Sequence, residues 1–180
     1  MSSAEARQSG PTWSTPIVFV SYSWDSNPHM EWVRRHFTNG LRSRGVRAVT
    51  DVHETEYGDL LDDFMERIAA NCDHIAVICT PRYADRARRS KGGVGYEKEL
   101  IRRFMDKDRP ANRVVPILRD GDGNSIPPFL AASRRYVDMR DNARFEDLLD
   151  ELAALFYGQQ IYKAPPVSEP PNWLKELMEE

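Results

Sequence analysis

The sequence predicts an α/β domain: five strands in one parallel sheet, with helices on both faces. Two observations carry this. Short apolar runs alternate along the 180 residues with segments whose apolar residues recur at helical spacing. The clearest runs are apolar at successive positions, the pattern of strands buried on both faces. Size agrees. A chain with 41% hydrophobic and 29% charged residues fits one globular unit with modest tails. At this length roughly 70% of the unfolded surface is buried, so no metal or disulfide staple is required.

The elements follow in order. Residues 1–15 form a polar leader, expected to be disordered, with Trp13 as its one anchor. Pro16 to Tyr22 is the first strand. Asp25, Ser26 and Asn27 offer capping chemistry for a helix carrying Met30, Val33, Phe37 and Leu41 on one stripe, widened by Trp32 and stopped by Gly45. Val46 to Asp51 is the second strand, followed by a polar loop, His53 to Gly58. Leu60, Leu61, Phe64, Met65 and Ile68 mark a second helix. His74 to Thr80 is the third strand, followed by a basic segment, Pro81 to Lys91, and a glycine cluster, Gly92 to Gly95. A third helix runs from about Tyr96 to Met105. Arg113 to Leu118 is the fourth strand, with Pro116 predicting a strand end or sheet edge. Asp120 to Asn124 is a turn, Tyr136 to Met139 the fifth strand, and Phe145 to Phe156 the closing helix. The domain therefore spans 16–157, and 158–180 is a proline-rich tail ending in a short amphipathic helix, Trp173 to Met178.

Five such strands suit a flavodoxin-like, three-layer sandwich. Ligands in that architecture bind beyond the carboxyl ends of the strands, where the strand order reverses. The loops after Val20, Asp51 and Thr80 are then the candidate site.

Charge and composition exclude several functions. A net charge of −3 gives no whole-domain grip on nucleic acid, and the arginines between Arg82 and Lys91 read as a solvated face. Cys72 and Cys79 form no CxxC pair or disulfide framework and read as buried thiols of a reducing compartment. No run approaches the ~20 apolar residues of a membrane helix, and Met1 to Ser14 lacks the apolar core of a signal peptide. The expected location is cytoplasmic, without membrane contact.

Known chemistries fall away in turn. The first strand ends in Ser21-Tyr22, without the acidic pair of a magnesium-binding response regulator. No GxxxxGK[ST] run is present, and Gly93-Val94-Gly95 lies before the third helix, not after the first strand. Asp120 to Asn124 lacks the spaced ligands and closing glutamate of a calcium loop. His29, His36, His53 and His74 show no metal-pair spacing, so no metal is expected. Glu97 and Glu99 open the third helix, where a carboxylate suits the helix dipole. A carboxylate facing the cleft there would also stabilise an oxocarbenium-like charge, as in glycosidic bond cleavage.

Four segments resemble one family. Val18 to Ser26 resembles the opening box of the SEFIR branch of the TIR (Toll/interleukin-1 receptor) superfamily, and His29, Trp32 and Val33 fit the same pattern. Asp51 and Gly58 are similar to the second strand and BB loop of TIR domains. Ile78 to Tyr83 resembles the third-strand box, and Gly93-Val94-Gly95-Tyr96-Glu97 the glycine-aromatic-glutamate stretch of bacterial members. The resemblance covers Ile17 to about Phe156.

It implies two functions. Many bacterial TIR domains cleave NAD+ at the nicotinamide-ribose bond with a glutamate that follows an aromatic residue, the position of Glu97 here. Ser21, Tyr22, Trp24, Asp51, Tyr57 and Tyr83 are the substrate-binding residues by the same resemblance. NAD+ is then a substrate, no cofactor is implied, and activity requires self-association through TIR-TIR contacts. Such a protein would be a bacterial immune effector or signalling domain. Where many TIR NADases carry a tryptophan shortly before the glutamate, this sequence has Gly92 to Gly95. The alternative is a non-catalytic adaptor making homotypic contacts, as SEFIR domains do in animals, with a protein partner recruited through the C-terminal tail.

Overall fold

The computed structural model describes residues 14–51, 71–89, 113–131 and 135–178. Its centre is a parallel sheet of five strands in the order β2-β1-β3-β4-β5. The strands are β1 (Ile17–Ser21), β2 (Arg47–Val49), β3 (His74–Cys79), β4 (Val114–Leu118) and β5 (Val137–Asp138). All pairings are parallel. The flavodoxin-like α/β sandwich expected from the sequence is what forms. The expected leader at 1–13, the helices at 60–68 and 96–105, and the loops at 53–58 and 92–95 lie outside the described residues.

Alternation along β1 divides the core. Val18, Val20 and Tyr22 face one side with Val33, Phe37, Leu41, Leu149 and Phe156. Phe19 faces the other, with Ile75, Val77, Tyr83, Leu118 and Leu130. The first face is covered by α1 and α4. Helix α1 runs as an α-helical turn (Asn27–Glu31), a π-wound segment (Trp32–Phe37) and a final α-helical stretch (Thr38–Arg42). Ser26 caps it, accepting from the His29 amide, and Pro28 sits in its first turn. In the π segment the Thr38 hydroxyl donates to the carbonyl of Val33, five residues back. Gly45 ends the helix at φ +80, and a Cβ there would stand 2.9 Å from the Tyr157 hydroxyl. Helix α4 (Phe145–Phe156) buries Leu148, Leu149, Leu152 and Phe156.

On the second face lie α2 (Pro81–Arg89) and α3 (Pro128–Ala131). The basic segment after β3 is therefore a helix as far as Arg89. Its arginines lie outward, while Tyr83, Ala84 and Ala87 are buried. Thr80 accepts from the Tyr83 amide at 3.1 Å, and Pro81 takes the first helical position.

Pro116 lies inside the sheet, not at its edge: it pairs with Val77 in β4, and β5 flanks β4 on the other side. The amide of Arg119 points to Cys79 of β3, while the carbonyl of Leu118 points to Met139 on the β5 side. By strand alternation Pro116, like Leu118, directs its backbone toward the β5 side. β5 begins only opposite Ile117, so the missing N–H breaks no ladder bond.

The turn after β4 is a short 3₁₀ segment (Gly123–Ser125) capped by Asp122, leading to α3. The tail carries α5 (Asn172–Met178), which buries none of its residues. Cys72 and Cys79 are buried and unbridged. Burial pushes the Cys79 thiol up to about 12, so it is no nucleophile near neutrality.

Candidate functional site

The strand order reverses at β1: the chain steps outward to β2 on one side and to β3 on the other. The loops leaving β1 and β3 diverge there, which is where open α/β sheets bind ligands. Successive residues at the end of β1 enter opposite layers. Ser21 turns toward α2, and Tyr22 toward α1.

On the α2 side, the hydroxyls of Ser21 and Tyr83 are 2.9 Å apart. Ser21 is 1% exposed and Tyr83 6%. Next to them Ser23 donates to Asp25, and its hydroxyl lies 3.3 Å from that of Thr80. Arg82 donates to the Asp25 carbonyl at 3.2 Å. A continuous polar network thus fixes the loop after β1 to the first turn of α2.

On the α1 side, Nε of Arg34 donates to the Tyr22 hydroxyl at 2.7 Å, and that hydroxyl donates to Oδ1 of Asp51 at 2.9 Å. Asp51 follows β2, so this relay spans α1, β1 and the end of β2. The guanidinium also lies 5.6 Å from the centre of the Tyr22 ring and 5.8 Å from that of Trp24. Trp24 is 57% exposed, leaving a broad indole surface at the mouth of the site. Burial first, and the Asp51 charge second, hold the Tyr22 phenol protonated far above its usual range.

His29 lies beneath this group, its ring 6.5 Å from that of Tyr22. Among the described residues, its buried Nε2 has no hydrogen-bond partner. Burial is the main cause of its lowered pKa; Asp25 and Asp120 oppose the shift and Arg119 reinforces it. Arg119 stacks 4.2 Å above the Trp32 ring and is held by the Met139 carbonyl and the Asn142 side chain.

Of the residues that the sequence singles out, Tyr22, Trp24 and Asp51 are brought together around Arg34, and Ser21 pairs with Tyr83 on the other side of β1. Glu97 and Tyr57 lie outside the described residues, as does Glu99. Arg34 is not among the residues that the sequence singles out. Its signal was a cation one position after Val33 and four after Met30, on the inward side of α1.

A family model described as TIR domain matches residues 18–153. This chain belongs to the TIR domain family. Among solved structures, the TIR domain is similar to a prokaryotic SEFIR domain, at 27% identity and a TM-score of 0.61, over 86% of this chain and 100% of that one. It is also similar to the TIR domain of the Toll-related receptor TRR-2 from the lower metazoan Hydra magnipapillata. There the identity is 15% and the TM-score 0.57, over 77% of this chain and 96% of that one, a likeness of fold. Among curated proteins, none matches. The family and its SEFIR-like branch are therefore those expected from the sequence. Among the described residues, no helix is long and apolar enough to cross a membrane.

Proposed function

We propose that this TIR domain is an NAD+ hydrolase or cyclase that cleaves the nicotinamide-ribose bond when copies assemble, as a bacterial immune or signalling effector. The observation that carries the reading is the convergence of Tyr22, Trp24, Arg34 and Asp51 beyond the carboxyl end of β1, at the reversal of strand order. The exposed Trp24 ring offers a stacking face for a flat heterocycle. Arg34 offers positive charge near a pyrophosphate.

Within this reading Glu97 stabilises the cation that develops at the ribose anomeric carbon. The carbon-nitrogen bond breaks, and its electron pair neutralises the pyridinium as nicotinamide leaves. Water then adds to the anomeric carbon and loses a proton, giving ADP-ribose. If a nucleophile of the substrate's own adenine ring adds instead, the product is a cyclic isomer. No metal or redox partner enters the balance.

A second reading is a non-catalytic adaptor making homotypic contacts. It is favoured by the pairing of Ser21 with Tyr83, two hydroxyls that satisfy each other in the interior. NAD+ binding separates the two. Calorimetric titration of Glu97→Gln, in which turnover is blocked, should show binding that Trp24→Ala weakens about tenfold, the loss of roughly 1.4 kcal/mol of stacking. An adaptor gives no NAD+ heat with either protein.

A further inference from the structure

A cavity of about 970 Å³ opens on the β5 edge of the sheet. It involves the amino ends of β4 and β5, so it lies at the opposite end of the sheet from Tyr22 and Arg34. Val115 and Val137 form its floor, Leu155 of α4 one wall, and Ile161 and Tyr162 of the departing chain another, with Tyr136 at the rim. The Tyr162 hydroxyl donates to Glu151 at 3.3 Å and so fixes that wall against α4.

Exposed apolar surface is concentrated in two places. Of the eight large apolar side chains exposed among the described residues, Tyr136, Ile161 and Tyr162 line this cavity. Trp173, Leu177 and Met178 lie on α5. Trp173 with Leu177, and Leu174 with Met178, are four apart and make two adjacent rows on one helical face. Among the described residues, α5 buries none of its apolar face, and the cavity presents apolar walls. The charged lining is balanced, Arg135 and Arg144 against Asp138 and Glu151, with Arg144 3.9 Å from Glu151, so the match is one of apolar surface.

The tether between them decides which cavity α5 reaches. Residues 163–171 contain Pro165, Pro166, Pro170 and Pro171. Each proline fixes its own φ, and each residue before a proline is held extended. That leaves only Lys163, Val167 and Ser168 free to turn. An arm of nine residues at roughly 3.1 Å each extends about 28 Å and resists folding back. It carries α5 away from the cavity beside which it begins.

We propose that α5 of one copy docks in the β5-edge cavity of a second copy. Reciprocal exchange of arms gives a closed two-fold dimer, and one-way docking a head-to-tail chain. The contact lies far from the candidate site and does not depend on whether NAD+ is the substrate.

Sedimentation of the full chain across a concentration series tests this. Wild type should associate. Trp173→Ala/Leu177→Ala, which alters the helix, and Tyr136→Glu, which alters the exposed rim, should each raise the half-association concentration at least about tenfold. An equimolar mixture of the two variants keeps one intact helix and one intact cavity, so it should form a mixed dimer that neither variant forms alone. A wild type that stays monomeric throughout its soluble range overturns the proposal. So does association that survives both substitutions, which would place the contact elsewhere. A monomer in which Trp173→Ala speeds amide exchange at Val137 would show α5 folded onto its own cavity, and would rule out the second copy as occupant.

Discussion

Arg34 donates to the Tyr22 hydroxyl at 2.7 Å from within the π-wound segment of α1, and the same guanidinium faces the exposed ring of Trp24. One wide helical turn thus ties the covering helix to the carboxyl end of β1 and to the mouth of the candidate site. Such π segments often mark functional positions. Arg34→Met keeps the aliphatic stem but loses the charged hydrogen bond and both ring contacts. It should cost about 1–2 kcal/mol in urea unfolding. On the NAD+ reading it should also raise KM more than it lowers kcat.

The Ser21–Tyr83 pair holds the start of α2 against β1. Ser21→Ala and Tyr83→Phe should each cost about 1–2 kcal/mol, because each leaves a buried hydroxyl or its vacated space behind. The double variant should cost less than the sum. Additive losses in a double-mutant cycle would show that the two hydroxyls do not act together.

Stability should fall on mild acidification because of His29. The unfolded imidazole takes its proton near the ordinary value of 6.5, whereas the folded one takes it lower. Between those values the unfolded chain binds more protons, so acid favours unfolding, and the stabilising effect is complete only above 6.5. His29→Gln should flatten this part of the unfolding midpoint against pH. Asp138 acts in a separate window. Its carboxylate is held below the ordinary 3.8 by the Arg140 hydrogen bonds, so its effect is present above 3.8 and lost on further acidification.

Gly45→Ala should destabilise by about 1–2 kcal/mol, since φ is +80 and the new Cβ would press on the Tyr157 hydroxyl. In a Tyr157→Phe background the contact is relieved but the backbone strain stays. A thermal melt of the pair of variants should therefore recover only part of the loss.

The sheet was legible because strands buried on both faces leave long apolar runs, as at Val18 to Tyr22 and Ile75 to Cys79. Pro116 misled because strand alternation, invisible until β5 is placed, decides whether a missing N–H matters. Helix α2 was hidden by its charge: four arginines mask the pattern Tyr83, Ala84, Ala87. Yet Thr80-Pro81 announced its start in the language of caps. At the site, the strand ends marked the loops, and the family resemblance named Tyr22, Trp24 and Asp51. Arg34 could not be named, because its partner is a hydroxyl across the layer rather than a residue near in sequence. The cavity beside α4 was equally out of reach, since it is lined by β4, β5, α4 and the chain after α4, which only the fold brings together.

The central claim is NAD+ cleavage by Glu97 in an assembled TIR domain. The most direct test incubates concentrated wild type and Glu97→Gln with NAD+ under crowding and separates the products by chromatography. The account predicts nicotinamide release by wild type alone, with ADP-ribose or a cyclic isomer as the second product. If neither protein consumes NAD+ when assembled, or if both consume it equally, the account is contradicted. The first outcome favours the adaptor, and the second moves the catalytic role away from Glu97, with Glu99 next in line.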